Sequence, residues 1–133
     1  MNTRILLSAS SLAMGIAGLI LSFAPAEILE AAGLPYSQIA SFTLQCAGGL
    51  YLGFAIMNWM SRGAMMGGIY ARPLAMGNFL HFFVGAMALL KQIGGIGQYA
   101  YVVYGITVLY TVFAGCFGVA LFTHPLKATG DAK

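Results

Sequence analysis

The chain alternates long apolar runs with short clusters of glycine, proline and charge. Four of the runs, at about 5–23, 38–60, 73–90 and 99–122, are long enough to cross a bilayer, and none contains an Asp or a Glu. A spanning helix needs about 20 mainly apolar residues. The pattern therefore predicts an all-α integral membrane four-helix bundle that fills a single domain, residues 1–133. The first run closes at Pro25, which cannot continue a helix without losing a backbone hydrogen bond. Arg4 before the run and Ala24-Pro25-Ala26 after it also fit a signal peptide. Its length, about 19 residues, exceeds the usual 7–15-residue signal core, so a retained span is expected. From Pro25 to Gly33 the chain reads as a short amphipathic interfacial helix between spans 1 and 2, with proline at its start, glycine at its end and Glu27 and Glu30 towards water.

The second run opens near Tyr36 and closes at Trp59 and Arg62, an aromatic and a cation of the kind found at membrane interfaces. The loop from Arg62 to Arg72 is rich in glycine and apolar enough to hug the membrane. Pro73 suits the first turn of the third helix, residues 91–98 break the chain before the fourth, and that helix runs from about Tyr99 to Phe122, ahead of His124-Pro125. Cytoplasmic loops carry the excess of Lys and Arg. One side collects Arg4, Arg62, Arg72, Lys127 and Lys133 and the other only Lys91, so both termini are expected in the cytoplasm.

Composition agrees with the pattern. The chain is 60% hydrophobic and 7% charged, against roughly a quarter charged in a soluble domain. The net charge of +3 is scattered at helix ends and makes no continuous basic face, so no nucleic-acid partner is expected. Cys46 and Cys116 lie inside apolar runs, where a cysteine behaves as a small hydrophobe. They form neither a metal pair nor an expected disulfide.

Lipid tails solvate apolar side chains as well as a neighbouring helix does, so membrane helices meet at small residues and polar contacts. Ser11, Gly15, Gly18 and Ser22 recur at helical spacing in the first span, and Ser41, Gln45, Gly49 and Gly53 in the second. Gly77, His81 and Gly85 share a face of the third, and Ala114 and Gly118 one of the fourth. Helix packing is the expected role of these stripes, with Gly15, Gly18, Gly49, Gly53, Gly77 and Gly85 as the packing glycines and a seam between copies as the alternative.

Polar residues deep in a span are expensive and are better functional candidates. At 1.5 Å per residue, Asn58, Asn78 and His81 lie about 6, 9 and 14 Å beyond Arg62 or Arg72. In the expected topology they form a candidate polar ligand site in the cytoplasmic half, near Ser8, Ser11 and Thr111. Gln45 belongs nearer Tyr101, Tyr104 and Thr107. Asn58 and Asn78 can equally serve as helix-to-helix hydrogen bonds. His81 can be a bonded neutral imidazole, a proton or ligand contact, or a haem or metal ligand. The last is the least favoured, because two-histidine haem ligation would need His81 from two copies, with His124 close to the surface. Arg62 and Arg72 read as topology anchors or as anion or lipid head-group contacts. No intramembrane acid, H-E-x-x-H, Walker loop or nucleophile elbow is present, so no catalytic or metal-binding residue is assigned and the cofactor is left open.

A first span ending in Phe23-Ala-Pro25, an outer helix closing in Gly33-Leu34-Pro35 and a glycine-rich second span resemble the DoxX-like and related small four-helix proteins of bacterial inner membranes. The resemblance implies a bacterial four-helix membrane module and transfers no active site. The Arg72-to-Asn78 segment is similar to part of the membrane-associated eicosanoid and glutathione metabolism family, but the Glu-Arg pair and downstream acid that accompany the asparagine there are missing. The expected function is a non-enzymatic helix-packing module in the bilayer, a homo-oligomer or an accessory subunit of a membrane complex. The alternative is a lipid or hydrophobic small-molecule binder, transporter or enzyme built on Asn58, Asn78 and His81.

Overall fold

The computed structural model describes residues 3–63, 71–92 and 100–123, all of it helical or in short connections. The helices are α1 (Thr3–Phe23), α2 (Pro25–Ala31), α3 (Gln38–Ser61), α4 (Ala71–Gln92) and α5 (Ala100–Thr123). Four of them, all but α2, are long and apolar enough to cross a membrane, as in a multi-pass membrane protein. At 1.5 Å per residue they measure about 31 to 36 Å, against a hydrocarbon core of about 30 Å. The loop at 64–70, the glycine-rich segment with Tyr99 at 93–99, and His124 with the basic tail lie outside the described residues.

The expected spans agree with the helices to within two residues. The largest shifts are at α1, which starts at Thr3 rather than Ile5, and at α4, which runs from Ala71 to Gln92 rather than from Pro73 to Leu90. Proline as third residue is still within the first turn, where the missing N–H has no intrahelical acceptor to lose.

The chain divides into two compact units, one holding α1 to α3 and the other α4 and α5. In the first, α1 and α3 run antiparallel and α2 turns the corner. The hydrogen bond from Ala24 N to Ile20 O closes α1, and Pro25, with no N–H, opens α2. Leu29 is buried while Glu27 and Glu30 are exposed, so α2 is amphipathic as expected. Gly33, at φ 68, ends it: Leu34 N bonds Leu29 O and Gly33 N bonds Glu30 O, both at 2.9 Å. This paired closure needs a left-handed residue, which glycine adopts without a Cβ penalty. Ser37 then caps α3 through the Ala40 N–H.

In the second unit α4 and α5 also pack antiparallel. Phe82, almost fully buried, stacks on Phe113 and Phe117 with ring centroids 4.8 and 5.8 Å away and meets Tyr110 edge-on at 5.2 Å. Elsewhere large apolar side chains such as Ile5, Leu12, Phe42, Leu50, Val108 and Phe122 are exposed. Such a surface has lipid as its natural solvent.

Candidate functional site

The seam between α1 and α3 is built on small residues. A Cβ added at Gly18 would lie 2.9 Å from Leu52 N and 3.0 Å from Gly48 O, and one at Gly48 would lie 2.7 Å from Ser22 N and 2.9 Å from Gly18 O. Backbone therefore touches backbone at Gly18 and Gly48, a closeness only glycine allows on both sides. Gly15 sits looser, 3.7 Å from the Ala55 Cβ. The expected stripe of Ser11, Gly15, Gly18 and Ser22 does face α3. On α3 the contact with α1 falls on a glycine outside the expected stripe. Gly49 and Gly53 are exposed, a Cβ on either would meet nothing within 4 Å, and the packing glycine is Gly48. Adjacent helix positions are rotated by about 100°, so a one-residue change of register moves the contact to another face.

One turn beyond, polar groups fasten the same seam. Asn58 is fully buried, and its Nδ2 donates to Ser10 Oγ at 3.1 Å and approaches Met14 Sδ at 3.8 Å. Ser10 Oγ donates in turn to Leu7 O at 3.1 Å, and Ser11 Oγ donates across the seam to Ala55 O at 2.7 Å. A buried amide without such partners would carry its full desolvation penalty. In this hairpin Asn58 acts as a clamp between helices.

In the second unit Asn78 is also fully buried, and its Nδ2 donates to Leu74 O of its own helix at 2.9 Å. His81, three residues on along the same face, is half-buried. Its Nε2 lies 3.5 Å from the Tyr110 hydroxyl, and its ring packs against Phe82 and Tyr110 at centroid distances of 5.2 and 5.8 Å. Gly85 makes that pair possible: a Cβ there would lie 2.5 and 2.6 Å from Tyr110 Cε1 and Cδ1. The phenol ring thus lies in the slot one turn along α4 from His81. Gly118 plays a milder part, with Phe79 3.3 Å from where its Cβ would be. Gly77 is half-buried.

Asn78 and His81 are thus brought onto one helix face, while Asn58 belongs to the first hairpin. Thr107 and Thr111 bond back to Val103 O and Thr107 O of α5 at 2.7 and 2.8 Å, and Gln45, Tyr101 and Tyr104 are exposed. Ser10, Gly48 and Tyr110 are the residues that the sequence did not single out. Two of them carry a signal in retrospect. Ser10 shares a helical stripe with Leu7, Met14 and Gly18, and Tyr110 sits between Thr107 and Phe113 at three-residue spacing.

The two arginines differ. Arg72 is exposed and borders an open crease of about 520 Å³ with Pro73, Met76, Leu121 and Phe122. Arg62 ends α3 with its guanidinium carbon 3.4 Å from the centroid of the Trp59 ring. Its Nη1 is buried and has no hydrogen-bond partner among the described residues. Among the described residues no group of three or more His, Cys, Asp or Glu could hold a metal ion, and Cys46 and Cys116 are free thiols.

The class these features define is a multi-pass helical membrane protein built from two glycine- and aromatic-seamed hairpins. Comparison of the chain with family models, curated proteins and solved structures returns no match.

Proposed function

We propose that this chain is a small bacterial inner-membrane protein of four spans, with its hairpins joined in a four-helix bundle and both termini in the cytoplasm. Its work is helix-to-helix contact, as a homo-oligomer or as an accessory subunit of a membrane complex. The observation that carries this reading is Gln45. Its side chain is exposed on α3, seven residues or about 10 Å inside the helix start. Gly49 and Gly53 follow it at four-residue intervals with open space over their backbone. An amide facing hydrocarbon alone leaves donors and an acceptor unmet, whereas a helix resting on the glycines brings partners within reach. The buried amides favour the same reading, because Asn58 and Asn78 already bond within their own hairpins.

Native mass spectrometry from gentle detergent, together with cross-linking in membranes, tests it. The wild type should travel as more than one chain, or with a retained partner, and Gln45→Leu or Gly49→Leu should release single chains of unchanged helicity. A wild type that is solitary in both measurements refutes the proposal. The five-to-one distribution of Lys and Arg supports the orientation. Reporters fused at Lys133 and within 92–98 should read cytoplasm and exterior, and an exterior C-terminus overturns it.

A second reading, a membrane enzyme, transporter or binder for a lipid or other hydrophobic small molecule, is favoured by His81. The ring is only half-buried and stands beside a tyrosine hydroxyl, so part of it stays open to a ligand.

A further inference from the structure

The geometry points to a binding groove for one anionic phospholipid on the first hairpin, with an acyl chain in the crease between α1 and α3 and the phosphate on Arg62. The site is separate from the His81 pair and does not depend on whether the protein self-associates.

The crease is an open groove of about 430 Å³ bordered by Gly15, Ile16 and Leu19 of α1 and by Leu52, Ile56 and Trp59 of α3. Gly15, which presents no side chain, leaves space along one side of the seam. From Leu52 to Trp59 the crease follows α3 for seven residues, about 10 Å. It therefore starts well inside the hydrocarbon and ends at the aromatic residue that marks the interface. Ser11, which also lines the groove, already bonds Ala55 O, so an acyl chain lies there without stranding that hydroxyl.

Arg62 gives the groove a charged end. An arginine that serves only as a topology anchor sends its guanidinium out to water. Here the guanidinium carbon sits 3.4 Å from the centroid of the ring of Trp59, the aromatic that borders the groove, and its Nη1 is buried with no acceptor among the described residues. A guanidinium carries its N–H donors along the edges of its own plane, a fork that suits a bidentate acceptor. Phosphate is the acceptor that a membrane offers at this depth, and a lipid phosphate arrives tethered to the chain that fills the groove.

Trp59 is the only tryptophan in the chain, so its fluorescence reports the site. The protein is reconstituted in phosphatidylcholine vesicles that carry 5 mol% of a lipid brominated on its acyl chains, either phosphatidylglycerol or phosphatidylcholine. Quenching is taken relative to the same vesicles without bromine. Brominated phosphatidylglycerol should quench at least threefold more than brominated phosphatidylcholine at the same mole fraction. Arg62→Gln should bring the ratio to about one, and Lys91→Gln should leave it unchanged. Ile56→Phe, an exposed change that narrows the groove and keeps the arginine, should also lower the ratio and decides the matter if Arg62→Gln does not fold. Equal quenching by the two lipids in the wild type overturns the proposal, as does a preference that survives either Arg62→Gln or Ile56→Phe in folded protein.

Discussion

Alanine placed at Gly48 or at Gly49 tests the register of the first hairpin. Both substitutions add one methyl to the same helix and gain the same helix propensity, about 1 kcal/mol over glycine. The difference between them isolates what the methyl meets. At Gly49 it meets nothing within 4 Å, whereas at Gly48 it would fall 2.7 Å from Ser22 N and 2.9 Å from Gly18 O. Those distances are 0.7 and 0.5 Å short of the 3.4 Å at which ordinary van der Waals contact begins. The Ser22 hydroxyl, nearer still, can rotate away, but these two obstacles are backbone atoms of α1 and cannot, so the helices must part by about that amount. A gap of about 0.5–1 Å forfeits a quarter to a half of each dispersion contact along the seam. Overpacking of this kind costs roughly 1–3 kcal/mol. Gly48→Ala should therefore be less stable than Gly49→Ala by roughly five- to 150-fold in the unfolding equilibrium.

The assay is SDS titration of single chains in mild-detergent micelles, followed by the fluorescence of Trp59, which belongs to the same hairpin. Equal midpoints, or a Gly49→Ala variant less stable than Gly48→Ala, would show that α1 meets α3 on a different face and would refute the packing described here.

Two further predictions concern the buried polar groups. A double-mutant cycle of Asn58→Leu and Ser10→Ala, read in the same unfolding assay, should give a coupling of roughly 0.6–2 kcal/mol, the range for interhelical hydrogen bonds in membranes; a coupling near zero would remove Asn58 as a clamp. If His81 is structural, His81→Gln should keep the stability of the second hairpin while His81→Leu and Tyr110→Phe each lower it. A His81→Gln variant that folds normally but loses a retained small molecule in native mass spectrometry would instead favour the ligand reading.

The spans were legible because length and hydropathy are enough to find them, and the turn at Gly33 because Gly33-Leu34-Pro35 carries its own chemistry. The faces of the helices were harder. A helix that is apolar all round announces no inner side, so on α3 the stripe of Ser41, Gln45, Gly49 and Gly53 stands out by spacing alone, while the glycine that meets α1 is Gly48. On α1 the stripe of Ser11, Gly15, Gly18 and Ser22 faces α3, and no second glycine sits beside it to compete. Counting residues places Asn58 and Asn78 along their helices but says nothing of which way they face; both are buried within their hairpins. Their partners did not follow from the count. Ser10 lies between Ser8 and Ser11, and only the angle of α1 against α3 selects it. Tyr110 looked like one more aromatic until the gap at Gly85 gave its ring a place against α4.

Hydrogen-bond satisfaction, not depth alone, separates the polar residues that deserve a functional assignment. In water a buried amide and an exposed amide are both ordinary, but within a span each must find a partner or leave groups unmet in hydrocarbon. Asn58 and Asn78, the most deeply buried of the candidates, have partners inside their own hairpins, and burial is for them a sign of completed structure. Gln45 and Arg62 have the opposite signature. One holds an exposed amide on the helix face that carries Gly49 and Gly53, and the other a guanidinium with an unmet Nη1 at the end of an apolar groove. Depth alone ranks Asn58 and Asn78 first, whereas satisfaction of hydrogen bonds ranks Gln45 and Arg62 first. Only the second criterion implies something outside the hairpin, a helix for Gln45 and a phosphate for Arg62.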